Sequence, residues 1–412
     1  MPRSRPKCKL AGGPKNGVHF TTAATSTGGS HGTSGGVSSS GTTGGASSTG
    51  AAASSSAGSS TGAATTGAAA SSTGGGSSGG GSSTGGGSTG GSGTCTSCPS
   101  GYACGTANGI AVCRNTTTQI PMFSHVFVIM MENTSDSAIT ANATPYLTSL
   151  GQTWASSSNY SGVTDPSLPN YIAITSGNTQ NITCDCNPSG GSACSNPGCS
   201  NLFSSDCDCG GMTVTHLGDQ LDGASLPWKM YGESMTTDCN ASGSGAYAPK
   251  HIPFLYYQDV LSNSSSTYCP DHVVDFTNHW TTDLAAGPPV FSMISPNLND
   301  DMHGTGLLQT AQDIANGDSW LSQQVPAILA SPAFTDGGVL FIVWDEGSLS
   351  LSPNLVPLYV LSPLAKTQSG GYVSTVAYNH YSLLATIEDG LGLSRLANAA
   401  SATPLQDFFP AN

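Results

Sequence analysis

Two continuous apolar runs dominate the pattern of hydrophobic and polar positions along the chain. They extend from Val126 to Met131 (VFVIMM) and from Val339 to Trp344 (VLFIVW). Runs of this kind are typical of strands that are buried on both faces of a parallel sheet. A third run, from Val356 to Leu361, predicts another strand. All three are far shorter than the roughly 20 apolar residues of a membrane-spanning helix.

Helical patterns lie between and after these runs. Helices are predicted from Thr144, as the N-cap, to Leu150, from Asn170 to Ser176, and from Tyr381 to Leu391. The last helix is expected to be amphipathic, with Glu388 and Asp389 on a solvated face. Strands that alternate with helices predict an α/β sandwich with a mostly parallel sheet.

A long polar segment precedes all of these elements. Every residue from 21 to 94 is Gly, Ser, Thr or Ala, except His31 and Val37. Such a segment cannot bury enough apolar surface to offset its backbone entropy, so residues 1–94 are predicted to form a disordered tether with a basic start. The tether would hold the rest of the chain away from a surface, and the alternative is a linker with no specific role.

Thirteen cysteines help to divide the chain. Four of them lie at 95–113 and predict a small module, which precedes a catalytic-sized domain at 118–412. Eight more lie at about 184–269, in sequence that is typical of an insertion or a set of loops. Twelve clustered cysteines predict disulfides and an oxidising compartment, and the sequence leaves their pairing open. The alternative for Cys95 and Cys98 is a zinc site, because their spacing is C-x-x-C.

Charge is scarce and unevenly distributed. The 412 residues hold 10 Lys and Arg against 24 Asp and Glu, for a formal net charge of −14. Residues 115–412 contain only four of the basic residues and all 24 acidic ones, which gives 4 − 24 = −20 for this segment. A basic nucleic-acid binder is therefore excluded. Anionic lipid surfaces should repel such a domain, so a small soluble substrate is favoured.

The expected location is outside the cell or in the cell envelope. Residues 1–9 are basic, but no apolar signal segment follows them, so we expect the start of the exported chain to lie upstream of Met1. The tether is similar to those that follow the lipidated cysteine of bacterial surface lipoproteins. Arg-Pro-Lys before Cys8 is not a lipobox, so lipidation of Cys8 stays open.

Acidic and amide residues directly follow two of the predicted strands. Glu132 and Asn133 come after the first run, and Asp345 and Glu346 come after the second. Because ligands of open α/β sheets bind beyond the carboxyl ends of the strands, these side chains are predicted to converge on a cation. The alternative is two incidental polar turns.

A serine just before a predicted helix is the candidate nucleophile. Ser167 precedes Pro169, which suits a first helical turn, so its hydroxyl would face the positive end of the helix dipole. The alternative is an ordinary serine N-cap. Further candidates are a polar loop that ends at His303 and the pair Lys250 and His251.

Two other histidines have structural interpretations. His380 is predicted to be a helix cap or a core histidine, and His125 to be structural, because each adjoins a strongly apolar element.

Taken in order, these segments resemble the bacterial phosphoesterase family that contains acid phosphatases and phospholipases C, within the alkaline phosphatase superfamily. The resemblance covers residues from about 120 to 410, and leaves the tether and the four-cysteine module uncovered. The segments that carry it are HVFVIMMEN from His125, TDPSLPNY from Thr164, WKMYGE from Trp228, KHIPF from Lys250, NLNDDMH from Asn297, WDEG from Trp344 and NHYSLL from Asn379.

The resemblance implies a three-layer α/β/α fold and the hydrolysis of phosphate esters. It implies that Ser167 is the nucleophile, that Asn170 donates its amide to a phosphate oxygen, and that His303 contacts phosphate or aids the leaving group. His251 would be a helper. The implied ligands of one or more divalent metal ions, which could be calcium, magnesium, manganese or zinc, are Glu132, Asn133, Asp345, Glu346 and the Ser167 oxygen.

Departures from the family pattern leave the choice of substrate open. Thr134-Ser135-Asp136 stands where the family often has His-Ser-Tyr, Asp165 where His is common, and Asn299 where Cys is frequent. The expected activity is that of an acid phosphatase on small monoesters. The alternatives are a phospholipase C or other phosphodiesterase, and an inactive surface-binding protein. A sulfatase is disfavoured because the sequence has no C-x-P-x-R or S-x-P-x-R motif.

Overall fold

The computed structural model describes residues 95, 97–188, 209–306, 308–348, 354–367 and 369–411. The predicted tether at 1–94, with Cys8, lies outside the described residues. No helix in the described ranges is long and apolar enough to cross a membrane.

Strands and helices alternate through most of this part of the chain. The strands are β1 (Tyr102–Ala107), β2 (Ile110–Asn115), β3 (Val126–Met131), β4 (Ala155–Ser157), β5 (Tyr160–Ser161), β6 (Trp228–Gly232), β7 (Val273–Asp275), β8 (Phe291–Ser295), β9 (Val339–Trp344), β10 (Leu358–Leu361), β11 (Tyr372–Ser374) and β12 (Tyr378–Asn379). The α-helices are α1 (Pro145–Thr153), α2 (Ser167–Ser176), α3 (Leu217–Gly223), α4 (Gln258–Leu261), α5 (Tyr268–His272), α6 (Phe276–Ala286), α7 (Ala311–Ala330), α8 (Pro332–Thr335) and α9 (His380–Leu391).

An eight-stranded sheet organises the large domain, with the strand order β11-β4-β10-β9-β3-β8-β6-β7. Only β10 runs against its neighbours, β9 and β4, while the other adjacent strands are parallel. In register, Ile129 of β3 lies between Ile294 of β8 and Ile342 of β9. The predicted α/β fold with a mostly parallel sheet is therefore confirmed.

The central strands are covered on both faces. Every residue of β3 and β9 is buried, as the two apolar runs predict. The helices pack in two groups: α7 contacts α1 and α8, whereas α2 contacts α9 and α3. This is the three-layer α/β/α arrangement, because apolar strands buried on both faces need a helical layer on each.

The start of α1 is capped by a distant residue rather than by Thr144. The Thr144 hydroxyl donates a hydrogen bond to the Thr140 carbonyl oxygen instead. The Asp318 carboxylate on α7 accepts hydrogen bonds from the Tyr146 and Leu147 N–H groups, at 3.0 and 2.9 Å. A carboxylate that satisfies free N–H groups at a helix N-terminus performs the function of an N-cap side chain.

The prediction of an insertion or loop set at about 184–269 is wrong for part of that segment. Trp228–Gly232 forms β6, which pairs in parallel register with β8 inside the central sheet. Its sequence, WKMYG, contains a lysine, so no continuous apolar run reveals the strand. Residues 189–208 of the segment lie outside the described part of the chain.

The disulfide prediction is confirmed for four pairs of cysteines. They are Cys95–Cys104, Cys98–Cys113, Cys186–Cys209 and Cys239–Cys269, with Cα–Cα distances of 5.5 to 5.7 Å. The C-x-x-C pair is thus divided between two bridges, contrary to the zinc alternative. The β1–β2 hairpin that carries these two bridges is hydrogen-bonded to the large domain, since Asn108 donates to the Pro363 carbonyl oxygen at 2.9 Å.

The prediction that Glu388 and Asp389 lie on a solvated face of the last helix is wrong. Glu388 and Asp389 on α9 are only 0% and 4% exposed. Asp389 forms an ion pair with Arg395 at 2.6 Å, and Glu388 accepts a hydrogen bond from the Leu396 N–H at 2.7 Å. The chain beyond the helix folds back over these side chains, which the periodicity of the helix alone does not reveal.

Glu388 should make the stability of the protein depend on pH. Burial raises its pKa to about 8, so the folded protein holds this proton more tightly than the unfolded chain does. The stabilisation is complete below the unfolded pKa and is lost as pH rises through about 8. We expect Glu388→Gln, which mimics the protonated form, to lose less stability than the wild type between about pH 5 and pH 8 in urea-unfolding measurements.

The exposed Asp271 provides the control for this prediction. Asp271→Asn should follow the wild-type dependence of the unfolding free energy on pH. Parallel curves for Glu388→Gln and the wild type would contradict the assignment of a raised Glu388 pKa.

Candidate active site

The two predicted polar pairs meet at one edge of the sheet. Met131 at the end of β3 is in register with Trp344 at the end of β9, so the residues that follow them are neighbours. The Asn133 N–H donates a hydrogen bond to Asp345 Oδ1 at 3.0 Å. Asn133 has a left-handed φ of 48°, a conformation that asparagine adopts more readily than most residues. The structure therefore places the polar residues that follow β3 beside those that follow β9.

Ser167 lies against this acidic cluster. It is the first residue of α2, after Pro166, and is buried. Its hydroxyl donates a hydrogen bond to Glu132 Oε2 at 3.0 Å. The candidate nucleophile is thus in direct contact with a candidate metal ligand.

Asn170 organises the loop that leads to Ser167. Its Oδ1 accepts hydrogen bonds from the Val163 and Thr164 N–H groups, at 3.0 and 3.2 Å. Its Nδ2 donates to the carbonyl oxygens of Thr164 and Pro166, at 2.8 and 3.2 Å. Both amide hydrogens therefore bind the loop, and a contact with phosphate, which stays a prediction, would require one of these bonds to open.

His251 lies between two buried carboxylates. Its Nε2 is 3.1 Å from Glu132 Oε1, and its Nδ1 is 3.4 Å from Asp301 Oδ2. Neither contact has the geometry of a hydrogen bond. The ring stacks on Tyr171, with centroids 5.3 Å apart and planes inclined by 6°. Burial, followed by the charge of Lys250, lowers the pKa of His251 well below its ordinary value.

Asp301 is a site residue that the strand-end pattern does not predict as a ligand. Its carbonyl oxygen accepts a hydrogen bond from the Glu132 N–H at 2.8 Å, and Oδ1 accepts one from the His303 N–H at 2.7 Å. The sequence signal for a role of Asp301 at the site is its position in a polar loop after the apolar strand β8, which lies beside β3.

His303 reaches the same region of the site. Its ring centroid is 6.3 Å from that of His251. Its Nδ1 is 2.7 Å from the Gly304 carbonyl oxygen. Because a carbonyl can only accept, Nδ1 carries the hydrogen, and Nε2 is the nitrogen available for a substrate. Burial, followed by the charge of Lys250, lowers the pKa of His303.

The two histidines with structural interpretations are buried or partly buried. His380 Nδ1 is 2.9 Å from the Tyr160 hydroxyl, and Nε2 is 2.7 Å from the Asp345 carbonyl oxygen. The core-histidine interpretation is confirmed, and this residue also holds the backbone of a site residue. His125 stacks on Phe127, and burial lowers its pKa.

The donor chemistry of the buried carboxylates suits a divalent cation. One oxygen atom of each of four carboxylates is buried without a hydrogen-bond partner: Glu132 Oε1, Asp301 Oδ2, Asp345 Oδ2 and Glu346 Oε2. Burial, the largest cause, raises the pKa of Glu132 to about 8 and that of Glu346 to about 12, and raises those of Asp301 and Asp345 well above the ordinary range. Unpaired buried oxygens of this kind are unfavourable unless a cation or protons compensate them.

Comparisons with known proteins identify the family of this chain. The sequence model of the Phosphoesterase family matches residues 137–394. The phosphatidylinositol-3-phosphatase of Mycobacterium tuberculosis is 31% identical over 295 residues, which cover 70% of this chain and 84% of that protein. The phosphate-repressible acid phosphatase of Penicillium chrysogenum is 23% identical over 244 residues, or 58% of this chain, and the match spans about half of that protein (52%).

Among solved structures, a protein of the alkaline phosphatase superfamily from Vibrio parahaemolyticus aligns with a TM-score of 0.45 and 11% identity, over 74% of this chain and 73% of that one. The match to the family model extends over more than half of the chain and includes α2, β9 and α9. The chain belongs to the phosphoesterase family and is a hydrolase of phosphate esters.

Proposed function

We propose that this protein is a metal-dependent phosphatase of the acid phosphatase type, which hydrolyses phosphate monoesters through Ser167. The observation that carries the proposal is the 3.0 Å hydrogen bond from the Ser167 hydroxyl to Glu132 Oε2, inside a cluster of buried carboxylates with unpaired oxygens. A nucleophilic hydroxyl beside a cation site is a recurrent arrangement for phosphoryl transfer.

The residues that would hold the cation are Glu132, Asn133, Asp345 and Glu346, with the Ser167 oxygen, and Asp301 extends the set. A bound divalent cation would supply charge stabilisation and lower the pKa of a nearby hydroxyl. The donors are oxygens, which suits calcium, magnesium, manganese or zinc.

The chain's own residues account for the remaining steps. The bond to Glu132 holds the Ser167 oxygen in place. In the attack on phosphorus, the Ser167 hydroxyl would pass its proton to Glu132, which already accepts its hydrogen bond. The bond from phosphorus to the serine oxygen forms, and the bond to the leaving group breaks. His303 Nε2, when protonated, would give a proton to the departing alcohol. Water then cleaves the phosphoserine, releases phosphate and restores the hydroxyl. Asn170 would keep Ser167 oriented through its hydrogen bonds to the preceding loop.

Monoesters are favoured over diesters by the names of the relatives, because two similar proteins are described as phosphatases. The Mycobacterium tuberculosis relative also favours a second candidate substrate class, the phosphomonoester on an inositol headgroup. The alternative of an inactive surface-binding protein is disfavoured, since the nucleophile and the acidic cluster are in contact.

Export is part of the proposal. The bridges Cys186–Cys209 and Cys239–Cys269 would be stable only in an oxidising compartment. Residues 1–94 would tether the catalytic domain at the cell surface.

Removal of the Ser167 hydroxyl should abolish turnover without unfolding the protein. We expect Ser167→Ala to lower kcat on p-nitrophenyl phosphate by at least about 10³-fold, since no other group would form the phosphoserine. The matched control is Ser176→Ala at the other end of α2, where the hydroxyl donates to the Ile172 and Asn178 carbonyl oxygens. Wild-type turnover by a folded Ser167→Ala variant would refute the nucleophile assignment.

Removal of the metal should affect both activity and stability. A chelator should inactivate the enzyme and lower its Tm, because the buried carboxylates lose the charge that compensates them. Re-addition of calcium, magnesium, manganese and zinc in separate samples should identify the ion that restores both. Chelation should also lower the Tm of Ser167→Ala. This result would distinguish the effect of losing the metal from the effect of losing the nucleophile. Metal analysis that finds no ion in an active enzyme would contradict the proposal.

A substrate panel should distinguish the candidate activities. We expect kcat/KM on p-nitrophenyl phosphate to exceed that on bis(p-nitrophenyl) phosphate by at least about tenfold, which corresponds to about 1.4 kcal/mol of transition-state binding. Phosphatidylinositol 3-phosphate and phosphatidylcholine in mixed micelles test the two lipid classes. Preference for the diester or for phosphatidylcholine would favour the phosphodiesterase, and no turnover by the metal-bound protein would favour the inactive binding protein.

A further inference from the structure

Only one of the four basic side chains in residues 115–412 lies at the candidate active site. Lys229 pairs with Asp283, and Arg395 pairs with Asp389. Lys366 lies over the Tyr372 ring. The fourth is Lys250, which directly precedes His251 and whose charge affects the pKa values of Glu132, Asp301 and Asp345.

A single carboxylate connects Lys250 to the residue that follows the nucleophile. Asp185 Oδ2 accepts a hydrogen bond from Lys250 Nζ at 2.7 Å. Asp185 Oδ1 accepts one from the Leu168 N–H at 3.0 Å, next to Ser167. The ammonium group is therefore held at a defined place beside the nucleophile helix.

Asp185 is itself firmly held. It lies between Cys184 and Cys186, which are both disulfide-bonded, and Cys186 is bonded to Cys209. The Tyr256 hydroxyl donates a hydrogen bond to the Cys186 carbonyl oxygen. This cross-linked segment makes Asp185 suitable as a positioning residue for the lysine.

The ammonium group of Lys250 retains donors for a ligand. It has three hydrogens, and Asp185 is its one hydrogen-bond partner among the residues that the structure describes. Its side chain is 22% exposed, so part of it is open to solvent. The acidic cluster beside it would repel an anion unless positive charge were present.

We propose that Lys250, oriented by Asp185, binds the phosphate group of the substrate and selects monoesters over diesters. This inference rests on the proposed phosphatase function. A monoester carries close to two negative charges at pH 7, because its second pKa is about 6, whereas a diester carries one. A fixed ammonium group stabilises the additional charge through charge-assisted hydrogen bonds. In a diester, the oxygen at the same place would carry an alkyl group, so it would accept weaker hydrogen bonds from the ammonium group.

The test compares the two ester classes in Lys250→Met. We expect kcat/KM on p-nitrophenyl phosphate to fall at least about tenfold more than kcat/KM on bis(p-nitrophenyl) phosphate. Lys250→Arg, which keeps the charge, should restore a large part of the preference. A purely structural role would lower both activities equally, and an unchanged ratio in Lys250→Met would overturn the proposal.

A matched control is provided by another lysine–aspartate pair in the same domain. Lys229 and Asp283 are 2.8 Å apart and 25% and 22% exposed, compared with 22% and 17% for Lys250 and Asp185. Lys229→Met should keep the wild-type ratio. A fall of the ratio in this variant equal to that in Lys250→Met would show a general charge effect and overturn the proposal.

The unpaired Asp185 carboxylate in Lys250→Met requires a second variant. In Lys250→Met/Asp185→Asn the pair is neutral, as it is in the wild type, and the oxygen of the new side-chain amide can still accept from the Leu168 N–H. We expect the monoester preference to stay low in this double variant. Recovery of the preference would show that the unpaired carboxylate, not the missing ammonium group, caused the loss.

Binding of inorganic phosphate separates this inference from the proposed function. Calorimetry on the metal-bound proteins should show at least about tenfold weaker binding of phosphate to Lys250→Met than to the wild type. A wild type that binds phosphate but hydrolyses neither ester would refute the proposed function, while the comparison of affinities would still decide the role of Lys250. Equal affinities would overturn the inference.

Discussion

The burial of several carboxylates at one edge of the sheet is the constraint on which the site depends. Glu132, Asp301, Asp345 and Glu346 each have an oxygen atom that is buried without a hydrogen-bond partner. Folding can bring them together only if a cation or protons neutralise them, because like charges in a medium of low polarity repel strongly. The same requirement makes the site suitable for a substrate whose negative charge must also be compensated.

The rest of the domain holds this edge in place. The register of β3 and β9 sets Glu132 and Asp345 side by side, and α2 presents Ser167 to Glu132. His380 binds the Asp345 carbonyl oxygen from the last helix. The β1–β2 hairpin contributes to the cover over that helix, since the Tyr102 hydroxyl donates to the Asp389 carbonyl oxygen. Elements far apart in the chain thus support one small group of atoms.

Prediction from sequence succeeded where a signal was local and failed where it was not. The strands β3 and β9 have continuous apolar runs, so both their existence and the polar residues after them could be identified. The strand β6 contains Lys229, so its sequence predicts a loop region instead. Helical periodicity places Glu388 on a solvated face, because it does not show which side chains the following chain covers. In the same way, the sequence predicts Thr144 as the N-cap of α1, but the Asp318 carboxylate on α7 accepts the hydrogen bonds from the first N–H groups of that helix.

The sequence by itself determined the class of fold, the family, the two polar pairs and the candidate nucleophile. Each of these depends on neighbouring residues, whose periodicity and order are visible along the chain. Only the tertiary structure decided that Asp301 joins the acidic cluster, that His251 lies between Asp301 and Glu132, and that Asp185 connects Lys250 to α2. These contacts join segments tens of residues apart or more, and they depend on strand order and on the path of the connecting chain. The scarcity of basic residues is visible in the composition, but folding alone selected which of the four lies beside the candidate nucleophile.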